Sequence, residues 1–346
     1  MDDPVAKRLV DSIIADFPDH DPGKRPIHTV GIGVKGTFEA SEVARTYCIA
    51  EHFQIKRVQG KRVPIPVTVR FSNGSGSPKR HDGWNDVRGM AVRFHLAGDR
   101  ATDLIAMTLG EFFVRGVDEF LDFTKSARQT PVKRESALRK IGDLLSLMRP
   151  LPNPPPGQNQ SGDAGTLDYA NKHRFAQLAV FQAGMIGAPV SYVRAVYHAV
   201  HTFFIVGPDG VRRPVRFSWK PVAGVQTTKD TSKNPDNEYL QEELRRRLKE
   251  WPARMMLMMT IGEAGDALDD PTVPWPARRV RVVMGTLTLK KVAEDQVRDG
   301  EKLSFNPWRL VPGIEPSADP TLKARRDAYE DSRKRRGVTQ CPFLPE

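Results

Sequence analysis

Near its C-terminal end the chain carries RRDAYEDSRKRRG, residues 325–337, in which six of the first twelve positions are Arg or Lys and the one aromatic is Tyr329. Such a run could be a phosphate-binding arm, but its charges are sorted rather than mixed. Asp319-Pro320 supplies an N-cap and a first helical proline, and Gly337 supplies a stop, so a helix is predicted over 319–337. At about 100° per residue, Leu322, Arg325, Arg326, Arg333 and Arg336 fall within about 60° of Tyr329, while Asp327, Glu330 and Asp331 lie behind. A solvated helix gains by mixing signs at i,i+4; this one gathers positive charge around a phenol. Positive charge favours phenolate, a hard anionic ligand for ferric iron, and further arginines suit carboxylates. The chemistry suggested is a haem held by Tyr329, with arginines neutralising the ligand and the propionates. An exposed basic helix with an incidental tyrosine meets the same geometry.

Other chemistry-bearing patterns are weaker. Gly31, Gly33 and Gly36 satisfy GxGxxG, but RPIHTV before them and VKGTFEASE after them read as bent strand rather than as a strand-to-helix nucleotide turn. His198 and His201 form HAVH without a spaced third ligand, which favours a hydrogen-bonding pair at the start of a hairpin over a metal site. RRRLK at 245–249 lies among glutamates and reads as a solvated helix face. The only cysteines, Cys48 and Cys341, form no CxxC, which argues against a disulfide framework or zinc site and for a reducing cytoplasm.

The elements that must position these residues follow from periodicity. MDDPVAKRLVDSIIADF suggests a short amphipathic helix, with a Pro, Asp and Gly loop running to residue 25. From Ile27 to about Phe112 the pattern is mainly strand: VPIPVTVRF and AVRFHL alternate, separated by SNGSGSPKRHDG. VDEFLDFTKSA, ESALRKIGDLLSLM and RFAQLAVFQAGM read as helices, and residues 149–165 as a flexible proline-rich loop. HTFFIVGPDGVRRPVRFSW reads as a hairpin, YLQEELRRRLKEW as a charged amphipathic helix, and RMMLMMTIG and RRVRVVMGTLTLKKV as strands. Strands in blocks joined by hairpins predict an α+β fold built on an antiparallel sheet or barrel, organised as one domain over 1–346.

A chain of 346 residues with 39% apolar and 27% charged residues can bury a sizeable core. Its net charge of +11 allows anionic partners, an anionic cofactor among them. No run of about 18 apolar residues is present, so no membrane span is expected.

Over most of its length the chain resembles the haem catalases. Their proximal pattern R-x-x-x-Y is matched by Arg325 to Tyr329, preceded by VPGIEPSADP, and their distal pattern H-x-x-G-x-G-x-x-G-x-F-E by HTVGIGVKGTFE, His28 to Glu39. VRFSNGSGS at 69–77, NDVRGMAVRF at 85–94 and DLIAMTLGEFFVRG match three further family blocks in order. The resemblance implies a catalase-like antiparallel barrel wrapped by helices, with haem b iron bound by Tyr329 and that ligand tuned by Arg325. It implies Arg25, Arg70 and Arg336 on the propionates, His28 as distal acid and base, Ser72 supporting it, and Phe120 near the haem edge.

The departures point away from dismutation of hydrogen peroxide. Gapless alignment of Asp103 to Phe113 puts Met107 where catalases carry a peroxide-binding asparagine, with Thr108 next as the nearest group able to donate. The family's N-terminal arm and C-terminal region have no counterpart, which predicts a more open pocket, no NADPH and an assembly no larger than a homodimer as readily as a bigger one. The expected function is reduction of hydrogen peroxide or an organic hydroperoxide at the expense of a small organic reductant. True catalase activity is one alternative. Rearrangement of a fatty-acid hydroperoxide is another, but Ile27 stands where allene oxide synthases of this family carry threonine. A nucleic-acid partner would explain the charge but not the ordered blocks.

Overall fold

A computed structural model of the chain describes residues 4–79, 81–83, 86–127, 137–146, 164–228 and 238–338. In chain order, the first half contains α1 (Pro4–Ala15), β1 (Gly31–Ala40), α2 (Ala44–Tyr47), β2 (Arg57–Val58), β3 (Lys61–Arg62), β4 (Ile65–Asn73), β5 (Arg88–His95) and β6 (Ala101–Met107). Then come α3 (Val117–Ala127), α4 (Ala137–Leu145), α5 (Ala164–Lys172) and α6 (Arg174–Met185). The last part holds β7 (Tyr197–Val206), β8 (Arg212–Pro221), α7 (Tyr239–Glu250), β9 (Ala253–Ile261), β10 (Arg281–Val292), β11 (Ile314–Pro316) and α8 (Pro320–Arg335).

The long strands pair in the order β7-β6-β5-β4-β1-β10-β9-β8, and β8 pairs back onto β7. Eight antiparallel strands therefore close into a barrel, with β11 added beside β7 and no long edge left open. Gly31, Gly33 and Gly36 all lie within β1, where the register shifts between Lys35 and Gly36, so the GxGxxG match is a bulged strand. The proline-rich stretch 149–165 falls outside the described residues except for its last two positions, which open α5, a helix the periodicity had not signalled. Among the described residues no helix is long and apolar enough to cross a membrane.

Period-two alternation sorts the barrel's two faces. On β4, Val67, Val69 and Phe71 enter the interior beside Ile32, Val34, Phe94, Trp219 and Leu257. Thr68, Arg70 and Ser72 take the opposite face, yet they too are buried, because helices cover that side. β5 repeats the scheme with Met90, Val92 and Phe94 inside and Gly89, Ala91 and Arg93 outside. A polar outer face under a helical cover is what creates a site here.

The cover is tied down by ions rather than by grease alone. Asp103 of β6 accepts from Arg93 Nε at 2.8 Å and from the Asn306 amide at 2.9 Å, and it also pairs with Arg309. All of these side chains are buried, and breaking such a pair typically costs about 3–5 kcal/mol. Asn306 Nδ2 then donates to the Arg326 carbonyl at 3.0 Å, which fixes α8 against the barrel. On its other flank α8 packs against α1, where Arg335 Nη1 meets Asp11 at 2.6 Å.

Candidate active site

α8 forms as its capping sequence dictates. Asp319 Oδ1 accepts from the Thr321 amide at 2.8 Å and the Leu322 amide at 3.3 Å, Pro320 opens the first turn, and Gly337 ends the helix at φ 62°. One helical turn apart, Arg325 Nη2 donates to Tyr329 Oη at 2.8 Å. The other guanidinium nitrogen, Nη1, lies 2.7 Å from His201 Nε2, and His201 Nδ1 lies 2.6 Å from Asp319 Oδ2. Burial lowers the pKa of His201, so the ring is neutral, accepts from Arg325 and donates from Nδ1 to Asp319. Asp319, His201, Arg325 and Tyr329 thus form one relay that aims the phenol. Sequence reasoning singled out His201 but gave it the wrong partner. The bulge in β7 between Ala199 and Phe203 turns it toward α8, so it is not paired with His198 as expected.

The charge stripe around Tyr329 is narrower than its helical angles suggested. Arg325 and Arg336 line a cavity with Tyr329. Arg326 instead pairs with Asp327 at 2.8 Å over the Trp308 ring, and Arg333 pairs with Glu330. Adjacent acids outcompete the cavity for those two guanidinium groups.

Opposite α8, the loop before β1 presents His28. Its backbone takes φ 57°, a region L residues rarely adopt, held by the His28 amide to the Gly74 carbonyl at 3.2 Å. Arg70 Nη1 donates to the His28 carbonyl at 2.8 Å and Nη2 to that of Thr29 at 3.1 Å. His28 Nδ1 sits 3.0 Å from Ser72 Oγ, and Nε2 makes no hydrogen bond among the described residues. Burial is the main cause that lowers the His28 pKa to about 4, so the ring is neutral at ordinary pH. A Cβ on Gly89 would lie 2.8 Å from His28 Cε1 and Nδ1 and from Ser72 Oγ; the imidazole lies directly over a glycine.

At one rim three arginines meet Glu301, two at its carboxylate and one at its carbonyl. Glu301 Oε2 pairs with Arg25 at 3.1 Å, its Oε1 with Arg70 at 3.2 Å, and its carbonyl accepts from Arg336 Nη1 at 2.6 Å. Burial, then the charges of Arg70 and Arg336, press the Arg25 pKa well below its usual value; burial lowers that of Arg336 to about 10. The buried Arg70 Nε has no hydrogen-bond partner among the described residues. Glu301, in a π-helical turn at Val297–Glu301, carried no periodic signal in the sequence.

Between these walls lies a cavity of about 400 Å³. His28, Ser72, Met107, Phe120, Arg25, Arg70, Arg325, Tyr329 and Arg336 all line it. Thr108 does not: its Oγ1 accepts from the Arg88 amide at 3.0 Å, and its own amide donates to the Arg88 carbonyl. Alternation after Met107 turns Thr108 toward the neighbouring strand, which corrects the expectation that it could donate into the pocket. α1 was expected only as an amphipathic helix, yet Leu9, Val10 and Ile13 help close the cavity.

The residues fit a haem. A guanidinium-bonded phenol lines the same cavity as an imidazole whose Nε2 makes no hydrogen bond among the described residues, the walls between are largely apolar, and three arginines at one rim exceed the single carboxylate there, as suits a dicarboxylate. No group of three His, Cys, Asp or Glu side chains converges among the described residues to form a separate metal cage.

A family model described as Catalase matches residues 9–150 and 152–345. A protein from Mycolicibacterium paratuberculosis named catalase-related peroxidase is 31% identical over 329 residues, covering 94% of this chain and 93% of its own. A protein of the same name from Synechococcus elongatus is 27% identical over 316 residues, covering 91% and 84%. A solved bacterial catalase shares the fold at TM-score 0.74 and 23% identity, matching 93% of this chain, which spans 59% of that longer one.

Proposed function

The chain belongs to the catalase family, and from that membership we propose that it is a haem-dependent peroxidase. It would reduce hydrogen peroxide or an organic hydroperoxide and oxidise an organic donor, with little dioxygen release. The observation that carries this reading is Met107. On the sheet face that floors the cavity it stands directly opposite Gly89, the residue under His28, and it has no proton to donate.

Tyr329 would hold the iron of haem b, Arg325 would hold the phenolate oxygen, and Arg25, Arg70 and Arg336 would pair with the two propionates. The haem supplies the two-electron chemistry that cleaves an oxygen–oxygen bond. His28 moves the proton: with Nδ1–H donated to Ser72 Oγ, the free Nε2 takes the hydroperoxide proton and returns it to the departing oxygen, leaving an alcohol or water. A ring that is neutral down to about pH 4 is a competent base at neutral pH. No nicotinamide nucleotide is needed in this scheme.

Purified protein supplied with haem is expected to show a Soret band that Tyr329→Phe loses. Dye oxidation with hydrogen peroxide and with cumene hydroperoxide should outrun dioxygen release. Absence of the band would remove the haem reading, and vigorous dioxygen release with negligible dye oxidation would make the protein a catalase.

A further inference from the structure

We propose that His198 is a substrate-binding residue whose imidazole receives the hydroxyl group of a phenolic reductant, with the phenol ring against a phenylalanine wall. The identity of the phenol as reductant rests on the peroxidase reading above. Register supplies the placement. Ser72 pairs with Gly89, Gly89 with Met107, and Met107 with His198, four consecutive positions across β4, β5, β6 and β7. Directly opposed residues put their side chains on one face, so His198 shares the cavity floor with Ser72 and Met107. At about 4.8 Å per strand it stands about 10 Å from the glycine beneath His28.

The side chain is built for a ligand rather than for the fold. His198 lines the cavity, makes no hydrogen bond among the described residues, and is not one of the sealed, unpaired polar groups, so its nitrogens keep accessible surface. Burial lowers its pKa to about 4, leaving one donor and one acceptor nitrogen at neutral pH. Aromatic side chains pack around its neighbours, and the positive charges of Lys220 and Arg281 act on it as well. Met107 opposite it and Val200 two residues on pack in one cluster with Phe112, Phe113, Phe120 and Phe123. Phe113 lies 4.3 Å from Phe112 and 4.2 Å from Phe123, ring centre to ring centre. An imidazole beside an aromatic wall, with positive charge near it, suits a ring that bears a hydroxyl group, whose oxygen is its electron-rich end. In turnover each phenol gives up one electron and one proton. Two phenols and one hydroperoxide become two phenoxyl radicals, one alcohol and one water.

The test uses haem-loaded protein, 4-methylphenol and cumene hydroperoxide. His198→Phe is expected to weaken 4-methylphenol binding in calorimetry at least tenfold and to raise its KM likewise. It should leave the KM for the hydroperoxide within about twofold and the Soret band unmoved, and His198→Gln should recover most of the loss. Equal 4-methylphenol binding by wild type and His198→Phe would overturn the assignment, as would parallel losses for both substrates. Calorimetry needs no turnover. Binding that depends on His198 without phenol oxidation would therefore sustain the site and remove the peroxidase reading instead.

Discussion

The imidazole of His28 owes its position to a residue without a side chain. Its motif was legible because the chain spells HTVGIGVKGTFE, but nothing local says that Gly89, sixty-one positions later, must leave room beneath it. Gly89→Ala would bring a methyl group 2.8 Å from the ring and from Ser72 Oγ at once, closer than carbon atoms tolerate, so the ring must turn. The expected result is a fall of tenfold or more in kcat/KM for hydroperoxide, with the Soret band retained. Unchanged kinetics would show that the ring is free to adjust. Ser72 was equally legible, as the serine of VRFSNGSGS; Thr108 was misjudged because one step along a strand reverses a side chain.

Helix α8 concentrates two duties in its N-cap. Asp319 Oδ1 caps the first turn, while Oδ2 holds His201 and through it Arg325. Capping predicts that Asp319→Ala costs about 1–2 kcal/mol, whereas Asp319→Asn keeps the cap and most of the stability. Both variants weaken the hold on His201, so both are expected to shift the Soret maximum while only Asp319→Ala lowers the Tm appreciably. A spectrum unchanged in both would separate the cap from the hydrogen-bonded relay to Tyr329. The helix, its start and its stop were all readable from Asp319-Pro320 and Gly337; the partner histidine was not, since a bulge in β7 delivers it.

At the scale of the molecule, burying neutral imidazoles makes stability depend on acid. Burial is the largest cause lowering His28, His95 and His198 to about 4 and His52 to about 3. The unfolded chain takes up protons near pH 6.5 while the folded one refuses them, so the unfolded state binds more protons in that window. Stability is therefore full above about pH 6.5 and falls as pH drops toward about 4. The urea midpoint should decrease between about pH 7.5 and about pH 5, and His52→Leu should reduce that decrease. His52 lies 4.1 Å from Phe53 and 4.8 Å from Phe94 between ring centres, and its buried Nδ1 has no partner among the described residues, so an apolar replacement removes the liability. A midpoint that does not move with pH would refute the account.

The sequence by itself determined the elements, their faces and the residue types of the site. Alternation, caps and turns are local properties, and the ordered motifs named His28, Ser72, Arg70, Arg325 and Tyr329, which the fold brings to one cavity. Only the tertiary structure decided which groups meet. Barrel closure lines up Ser72, Gly89, Met107 and His198 from four strands. Competition with adjacent acids withdraws Arg326 and Arg333 from the cavity, and a π-helical turn brings Glu301 among three arginines. Helical angles fix a direction from an axis. Whether a charge uses that direction depends on what else lies within reach, and this is set by packing between residues hundreds of positions apart.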